Sequence, residues 1–136
     1  MYEEIIEKAF NALENAYVPY SNYRVGACVL TTDGKHFIGA NIENASYGLT
    51  NCAERNAIFQ TYSNGYRKEN IEAIAIVCEG KTLATPCGAC RQVLDELIEK
   101  ETPIILSNRK MQKVTNIKEL LPYACLLYTS PSPRDA

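Results

Sequence analysis

The sequence predicts an α/β protein, a three-layer sandwich in which a mixed β-sheet of about five strands carries helices on both faces. Apolar residues recur at helical spacing over residues 2–16, as in an amphipathic helix. Residues 71–78 form an apolar run broken only by Glu72, which is typical of a strand buried on both faces. With 136 residues, 46% of them hydrophobic and 22% charged, the chain has the length and composition of one globular domain.

The predicted elements alternate between helix and strand along the chain. Ile5, Ala9 and Leu13 share one face of the first helix, which Pro19 prevents from continuing. Asp33-Gly34 is a strong hairpin-turn signal between two strands. In order, the elements are a helix at 2–16, strands at 25–31 and 36–41, a helix at about 52–62, a strand at 71–78, a helix from Pro86, a strand at 103–107, a candidate strand at 114–117 and a short helix at 117–124.

Polar loops at residues 43–51 and 79–85 precede the second and third helices. Gly65 is placed to end the second helix. Proline suits the first position of a helix, so Pro86 marks the start of the third, whose inward face carries four apolar residues. These are Val93, Leu94, Leu97 and Ile98.

The charge pattern favours a small-molecule ligand over a nucleic acid or a membrane. Fourteen Lys and Arg residues against sixteen Asp and Glu leave a net charge of −2, without the basic excess that binds nucleic acid or anionic lipid. No apolar run approaches the ~18 residues of a membrane span. The N-terminal segment is acidic, unlike a secretory signal, so we expect a cytoplasmic protein whose thiols stay reduced.

Three of the six cysteines have the context of metal ligands. Cys87 and Cys90 are three apart and share one helix face, and Cys52 begins another helix. With Asn51 and Thr85 as N-caps, Cys52 and Cys87 would lie in first helical turns, where free N–H groups favour thiolate. Three thiolates leave the fourth position of a zinc tetrahedron open to water, as in catalytic sites, and zinc lowers the pKa of such a water from about 16 towards 7.

The other chemistry-bearing side chains outside this motif have simpler explanations. Cys28 and Cys78 lie within strand-like segments and are expected to be buried as small hydrophobes. His36 lies on the hairpin without a ligand-spaced companion, so we expect it not to bind metal. A Cys-x-x-Cys pair taken alone would also fit half of a structural zinc site or a redox pair.

Glu54 follows Cys52 by two positions and is the candidate proton-transfer residue. Residues two apart lie on opposing sides of a regular helix, so this role requires that both stand at the helix start. Asn51-x-x-Glu54 also fits a capping box, a purely structural role. Arg55 is either a solvated helix residue or a guanidinium that donates hydrogen bonds to the sulfurs and offsets their charge.

Three segments resemble the small cytidine deaminases of the three-cysteine, homotetrameric kind: residues 19–27, 39–47 and 51–55. The pairing of Cys52-Ala53-Glu54 with Pro86-Cys87-Gly88-Ala89-Cys90 resembles the zinc-deaminase signature. The resemblance extends over residues 1–124. It implies one Zn²⁺ per chain, hydrolysis of cytidine and deoxycytidine to the uridine forms in pyrimidine salvage, and a homotetramer with its sites at subunit interfaces.

The resemblance also implies roles for individual residues. By position these are Asn41 and Glu43 for the ribose, Glu54 for ring N3 and proton transfer, the Ala53 backbone for the amide edge of the base, Tyr23 near the nucleoside, and Tyr47 at a subunit interface. Core packing is the alternative for Tyr23. A solvated polar loop is the alternative for the two ribose candidates.

Other functions remain open from the sequence. A deaminase of blasticidin S would share the zinc core, although residues 41–43 favour a nucleoside. An RNA- or DNA-editing deaminase would need a basic or aromatic strand-binding surface, which the charge balance does not indicate. A non-catalytic zinc-binding module would need a fourth protein ligand to close the site.

Residues 125–136 depart from the resemblance. From Cys125 onward they resemble a translated sequencing adapter, so we expect a domain at residues 1–124 followed by a non-native tail, in which Cys125 is not a native thiol. The alternative is a genuine Ser/Pro-rich disordered tail.

Overall fold

A five-stranded mixed sheet forms the middle layer of the computed structural model, which describes residues 2–121. The helices are α1 (Glu3–Leu13), α2 (Ala53–Ser63), α3 (Gly88–Leu97) and α4 (Ile117–Leu120), and the strands are β1 (Val25–Thr31), β2 (His36–Ala40), β3 (Ile71–Cys78), β4 (Ile104–Ser107) and β5 (Gln112–Thr115). Short 3₁₀ turns occupy Tyr47–Leu49 and Lys68–Asn70.

The strand order is β2-β1-β3-β4-β5. β1 pairs antiparallel with both β2 and β3, whereas β3 and β4 are parallel and β5 is antiparallel to β4. β2, β3 and β4 therefore all run in one direction. Ala40 at the end of β2 and Cys78 at the end of β3 pair with Gly26 and Val25, so both strands end at the same edge of the sheet.

Helices cover both faces of the sheet, which confirms the predicted three-layer α/β sandwich. On one face, α1 packs its apolar stripe against Cys28, Ala75 and Val77. On the other face, α2 and α3 pack against alternate residues of the same strands, such as Val29 and Ile76. Cys28 and Cys78 are buried on β1 and β3, as the sequence indicates. Among residues 2–121, no helix combines the length and the apolarity that a membrane span requires.

Several element boundaries differ from the prediction. The first helix ends at Leu13 rather than at residue 16, because Tyr17 leaves it to pair with Ile42. The third begins after Cys87, and β5 starts two residues earlier than the candidate strand at 114–117. The closing helix ends at Leu120, and residues 122–136, including the predicted tail, lie outside the described residues.

The end of β2 passes unusually close to α2 at Gly39. A Cβ atom there would lie 2.6 Å from the carbonyl oxygen of Ala53 and 2.6 Å from the amide nitrogen of Ala57, both shorter than real contacts. Glycine at this position therefore allows β2 to approach the start of α2, which carries Cys52 and Glu54, more closely than a residue with a side chain could.

We predict that Gly39→Ala lowers the free energy of unfolding by about 1–3 kcal/mol, because backbone atoms of α2 must shift to admit the methyl group. Urea denaturation measures the change. Gly48→Ala is the matched control, since a Cβ there meets no atom within 4 Å. Equal stabilities of the two variants would contradict a tight contact between β2 and α2.

Candidate active site

Three cysteine sulfurs converge at the edge of the sheet where β2 and β3 end. The Cys52 and Cys87 sulfurs are 3.9 Å apart, and those of Cys87 and Cys90 are 3.3 Å apart. All three sulfurs lie within 4.8 Å of one another. Zinc–sulfur bonds of about 2.3 Å in a tetrahedron place sulfurs about 3.8 Å apart, so this triangle fits a zinc ion.

The sequence expectation for the helix caps was wrong. Cys52 and Cys87 are themselves the N-cap residues of α2 and α3, in place of Asn51 and Thr85. Both cysteines have extended backbone, and the Cys87 sulfur accepts a hydrogen bond from the Cys90 N–H at 3.4 Å, where a Ser or Asp oxygen commonly accepts. Since α2 has no side-chain cap, the Asn51–Glu54 capping box, the structural alternative for Glu54, is absent from this helix start.

The surroundings of Cys52 favour its thiolate. The Cys90 thiol donates a hydrogen bond that lowers the pKa of Cys52 below its usual range, and the Arg55 guanidinium lowers it further. Arg55 Nη2 lies 3.5 Å from the Cys52 sulfur and 3.4 Å from the Thr50 carbonyl oxygen, to which it donates. Of the two sequence alternatives for Arg55, the structure therefore places its guanidinium against the sulfur.

Glu54 is buried beside the cysteines, with 4% of its surface exposed. Burial raises the pKa of this carboxyl to about 7, because the charged form loses its hydration. Since Cys52 is the N-cap and Glu54 stands in the first turn, both side chains border the same cavity despite their two-residue spacing. The geometric condition for proton transfer by Glu54 is thus met.

A cavity of about 450 Å³ opens beside the sulfurs, which is within the range of small-molecule sites. Seven residues singled out in the sequence border it: Tyr23, Asn41, Tyr47, Cys52, Ala53, Glu54 and Cys87. Five others were not predicted as site residues, namely Val25, Ile76, Leu83, Ala84 and Thr85, the last proposed only as a helix cap. The closeness of Ala84 and Thr85 to Cys87 along the chain could have indicated them, whereas Val25 and Ile76 arrive only through strand pairing.

Asn41 and Glu43, the two ribose candidates, have different surroundings. Asn41 accepts a hydrogen bond from the Val25 N–H at 3.0 Å and donates one to the Tyr23 carbonyl at 2.9 Å, and it borders the main cavity. Glu43 instead borders an adjoining cavity of about 210 Å³, together with Tyr47. The structure therefore does not bring both candidates to one wall.

The Glu43 carboxylate is held by the segment at residues 20–21. It accepts hydrogen bonds from the Tyr20 N–H at 3.0 Å, from the Ser21 N–H at 3.1 Å and from the Ser21 hydroxyl. These bonds, that of the hydroxyl foremost, hold the pKa of Glu43 below its usual range. The carboxylate is therefore held in place as an anion beside the smaller cavity.

The two tyrosines and the histidine also differ in their surroundings. Tyr23 is partly exposed, and burial with the nearby Cys78 raises the pKa of its phenol to about 12. Tyr47 is 89% exposed and borders both cavities. His36 lies 3.9 Å from Glu4 and outside the sulfur cluster.

We predict that Cys90→Ala reduces bound zinc from about one ion per chain to well below half, because two sulfurs remain where structural and catalytic sites supply at least three protein ligands. Elemental analysis of the purified protein measures the zinc content. Cys28→Ala is the matched control, since Cys28 is buried against α1 on the opposite face of the sheet. Full zinc occupancy in Cys90→Ala would exclude Cys90 as a ligand.

Comparisons with known proteins agree with this geometry. Residues 1–106 match the family model described as the cytidine and deoxycytidylate deaminase zinc-binding region. The chain is 52% identical over 122 residues to a cytidine deaminase of Halalkalibacterium halodurans, an alignment that covers 88% of this chain and 90% of that one. A probable cytidine deaminase of Dictyostelium discoideum is 42% identical over 127 residues, or 90% of this chain and 84% of that one.

Solved structures are similar as well. The crystal structure of a cytidine deaminase from Burkholderia pseudomallei superposes with a TM-score of 0.89 at 48% identity, covering 92% of this chain and 99% of that one. That of the Mycobacterium tuberculosis enzyme gives a TM-score of 0.76 at 36% identity, covering 90% and 95%. Sequence, fold and the sulfur triangle thus lead to the same conclusion: this chain belongs to the cytidine and deoxycytidylate deaminase family and carries its zinc-binding region.

Proposed function

We propose that this protein hydrolyses cytidine and deoxycytidine to uridine and deoxyuridine, with release of ammonia, as a step of pyrimidine salvage. The observation that carries the proposal is the buried carboxyl of Glu54, which borders one cavity together with the sulfurs of Cys52 and Cys87. The family relationship supports the same reaction. A cavity of about 450 Å³ has room for a nucleoside.

Cys52, Cys87 and Cys90 would hold the zinc ion, since they supply three soft ligands in a triangle of suitable size. When bound there, zinc lowers the pKa of a water molecule towards about 7. Arg55 offsets the excess negative charge of three thiolates through its hydrogen bond to the Cys52 sulfur. The cysteines and Arg55 together would therefore keep the metal site close to neutral.

Glu54 would move the protons of the reaction. Its carboxylate takes a proton from the attacking water and delivers it to ring N3, while the water oxygen bonds to C4. The same carboxyl then transfers the second proton of the water to the amino group, and the C4–N4 bond breaks to release ammonia. Each turnover consumes one water, and Glu54 returns to its starting state.

Asn41 at the main cavity and Glu43 at the adjoining one would hold the ribose of the nucleoside. Asn41 retains a free donor hydrogen and an acceptor lone pair for a ribose hydroxyl after its two backbone bonds. The Glu43 carboxylate accepts three bonds and keeps about one lone pair for a hydroxyl. The Ala53 backbone would contact the amide edge of the base, and the Tyr23 ring would lie beside the nucleoside.

We further propose a homotetramer in the cytoplasm, where thiols stay reduced. Four large apolar side chains are exposed, namely Tyr17 at 55%, Tyr20 at 62%, Tyr47 at 89% and Leu49 at 71%, and Tyr20 and Tyr47 border the smaller cavity. Exposed large apolar side chains beside a cavity are typical of subunit contacts. A second copy would cover these residues, with Tyr47 at the interface.

The alternative functions have less support. A closed structural zinc module needs a fourth protein ligand, and over residues 2–121 the cluster contains three cysteines and no other side chain of ligand type. Nothing in the described cavity favours blasticidin S over a nucleoside. The closed zinc module also leaves the buried carboxyl of Glu54 beside the sulfurs unexplained.

We predict that Glu54→Gln retains its zinc and loses turnover by a factor of ~10² to 10⁴, because the amide cannot carry protons. The loss of cytidine absorbance in the ultraviolet, with a zinc count per chain, measures both effects. Glu72→Gln is the matched control, since Glu72 is exposed on β3 away from the cavity. Near-native turnover in Glu54→Gln would remove Glu54 from the mechanism.

We also propose that residues 125–136 are not native, because their sequence resembles a translated sequencing adapter. Removal of these residues is expected to leave the zinc content unchanged, since all three cysteines precede them. Codons in the encoding DNA that differ from those of the adapter would overturn this proposal, and a truncated chain without zinc would show that the segment belongs to the domain.

A further inference from the structure

A pair of carboxamides joins the end of β2 to the helix that carries Cys52 and Glu54. Asn56 Nδ2 donates a hydrogen bond of 2.7 Å to the buried carbonyl of Ala40, the last residue of β2. Asn51 Nδ2 donates a bond of 3.0 Å to Asn56 Oδ1. Because Ala40 offers only an acceptor, Nδ2 of Asn56 must face it, and this orientation turns Oδ1 towards Asn51.

Together with backbone bonds, these two side-chain bonds link the residues on both sides of Asn41 to the start of α2. We call this ring of hydrogen-bonded residues the frame; it consists of Ala40, Asn56, Asn51 and Ile42. On one side of Asn41, Ala40 is held by Asn56. On the other side, Ile42 and Asn51 exchange two backbone hydrogen bonds, both of 2.9 Å. The Asn56 N–H donates to the Cys52 carbonyl at 3.0 Å, so the frame includes the metal-binding helix start. The close approach at Gly39, where a Cβ would lie 3.1 Å from the Asn56 Cβ, packs the same junction tightly.

We propose that Asn56 is a positioning residue for the deamination reaction, one that fixes the separation between Asn41 and the helix start that carries Cys52 and Glu54. The inference rests on the proposed function, in which Asn41 holds the ribose while the base is held beside the zinc. Asn56 does not border the cavity and acts only through the segments that it joins. A nucleoside held at both ends reacts well only when that separation matches the distance between its ribose and its C4 atom.

The carboxamide is the side chain that this position requires. A hydroxyl cannot span both partners, because Asn56 needs a donor directed at Ala40 and, on a separate atom, an acceptor directed at Asn51. A carboxylate keeps the acceptor but sets an oxygen against the Ala40 carbonyl. Asn56→Ala and Asn56→Asp are therefore both expected to loosen the frame, and Asn56→Asp more than Asn56→Ala.

The test compares Asn56→Ala with Asn64→Ala in the full chain. Asn64 is the matched control because it caps the far end of the same helix, where its carboxamide donates to the Gln60 carbonyl at 2.8 Å. We expect kcat/KM for cytidine to fall by about 10- to 100-fold in Asn56→Ala, with zinc content unchanged. For Asn64→Ala we expect a change within about twofold.

A double-mutant cycle with Asn41→Ala separates positioning from general destabilisation. If Asn56 acts through Asn41, Asn56→Ala has little further effect on kcat/KM in the Asn41→Ala background. Additive losses, or a loss of zinc that parallels the loss of activity, would overturn the inference. Should Asn56→Ala fail to fold, Asn51→Ala replaces it in the cycle, with a smaller expected loss that is again non-additive.

The same measurements separate this inference from the proposed function. An unaltered chain that binds zinc and does not deaminate cytidine would overturn both. An active chain in which Asn56→Ala matches Asn64→Ala would overturn only the positioning role.

Discussion

The candidate site depends on one feature of the sheet, which is that β1 runs antiparallel between β2 and β3. The two neighbours of β1 therefore point in the same direction, and the helices that follow them begin at the same edge. Cysteines 35 positions apart in the sequence thus reach a separation of 3.9 Å between their sulfurs. A parallel pairing of β1 with either neighbour would place one helix start at the opposite edge of the sheet. The Cys52 sulfur would then lie far from those of Cys87 and Cys90.

Helix starts suit this chemistry for electrostatic reasons as well. The free N–H groups and the dipole of a helix N-terminus stabilise negative charge, and both Cys52 and Cys87 occupy the N-cap position itself. The Cys87 sulfur accepts a hydrogen bond from the Cys90 N–H of its own helix. Arg55 adds a positive charge beside Cys52, which limits the net charge that three thiolates and a divalent ion would carry.

Close packing of β2 on α2 connects this arrangement to Asn41, which follows β2 and borders the same cavity. Gly39 allows the strand to touch the helix backbone, and Asn56 bonds the strand end to the helix. The chain at Asn41 is therefore tied by packing and a hydrogen bond to the helix that carries Cys52 and Glu54. Burial of Glu54 within that unit favours a carboxyl that can exchange protons near neutral pH, since its charged form is poorly hydrated.

Much of this could be predicted from the sequence because the signals are local. Helical periodicity, the Asp33-Gly34 turn and the apolar run of β3 predict the elements, and the pairing of Cys-x-Glu with Cys-x-x-Cys resembles the zinc-deaminase signature, which implies the metal chemistry. The resemblance of residues 39–55 to known deaminases added the substrate class. These properties are encoded in neighbouring residues, so they can be recognised without knowledge of the fold.

Only the tertiary structure decided where those residues lie relative to one another. It placed the caps on the cysteines rather than on Asn51 and Thr85, directed Glu43 towards Ser21 and away from the main cavity, and brought Ile76 to the cavity wall. Each of these outcomes depends on pairing between strands or on contacts between segments distant in the chain. Hydrophobic periodicity reports which face of an element is buried, and the strand order that determines its neighbours is set by the free energy of the whole packed sheet.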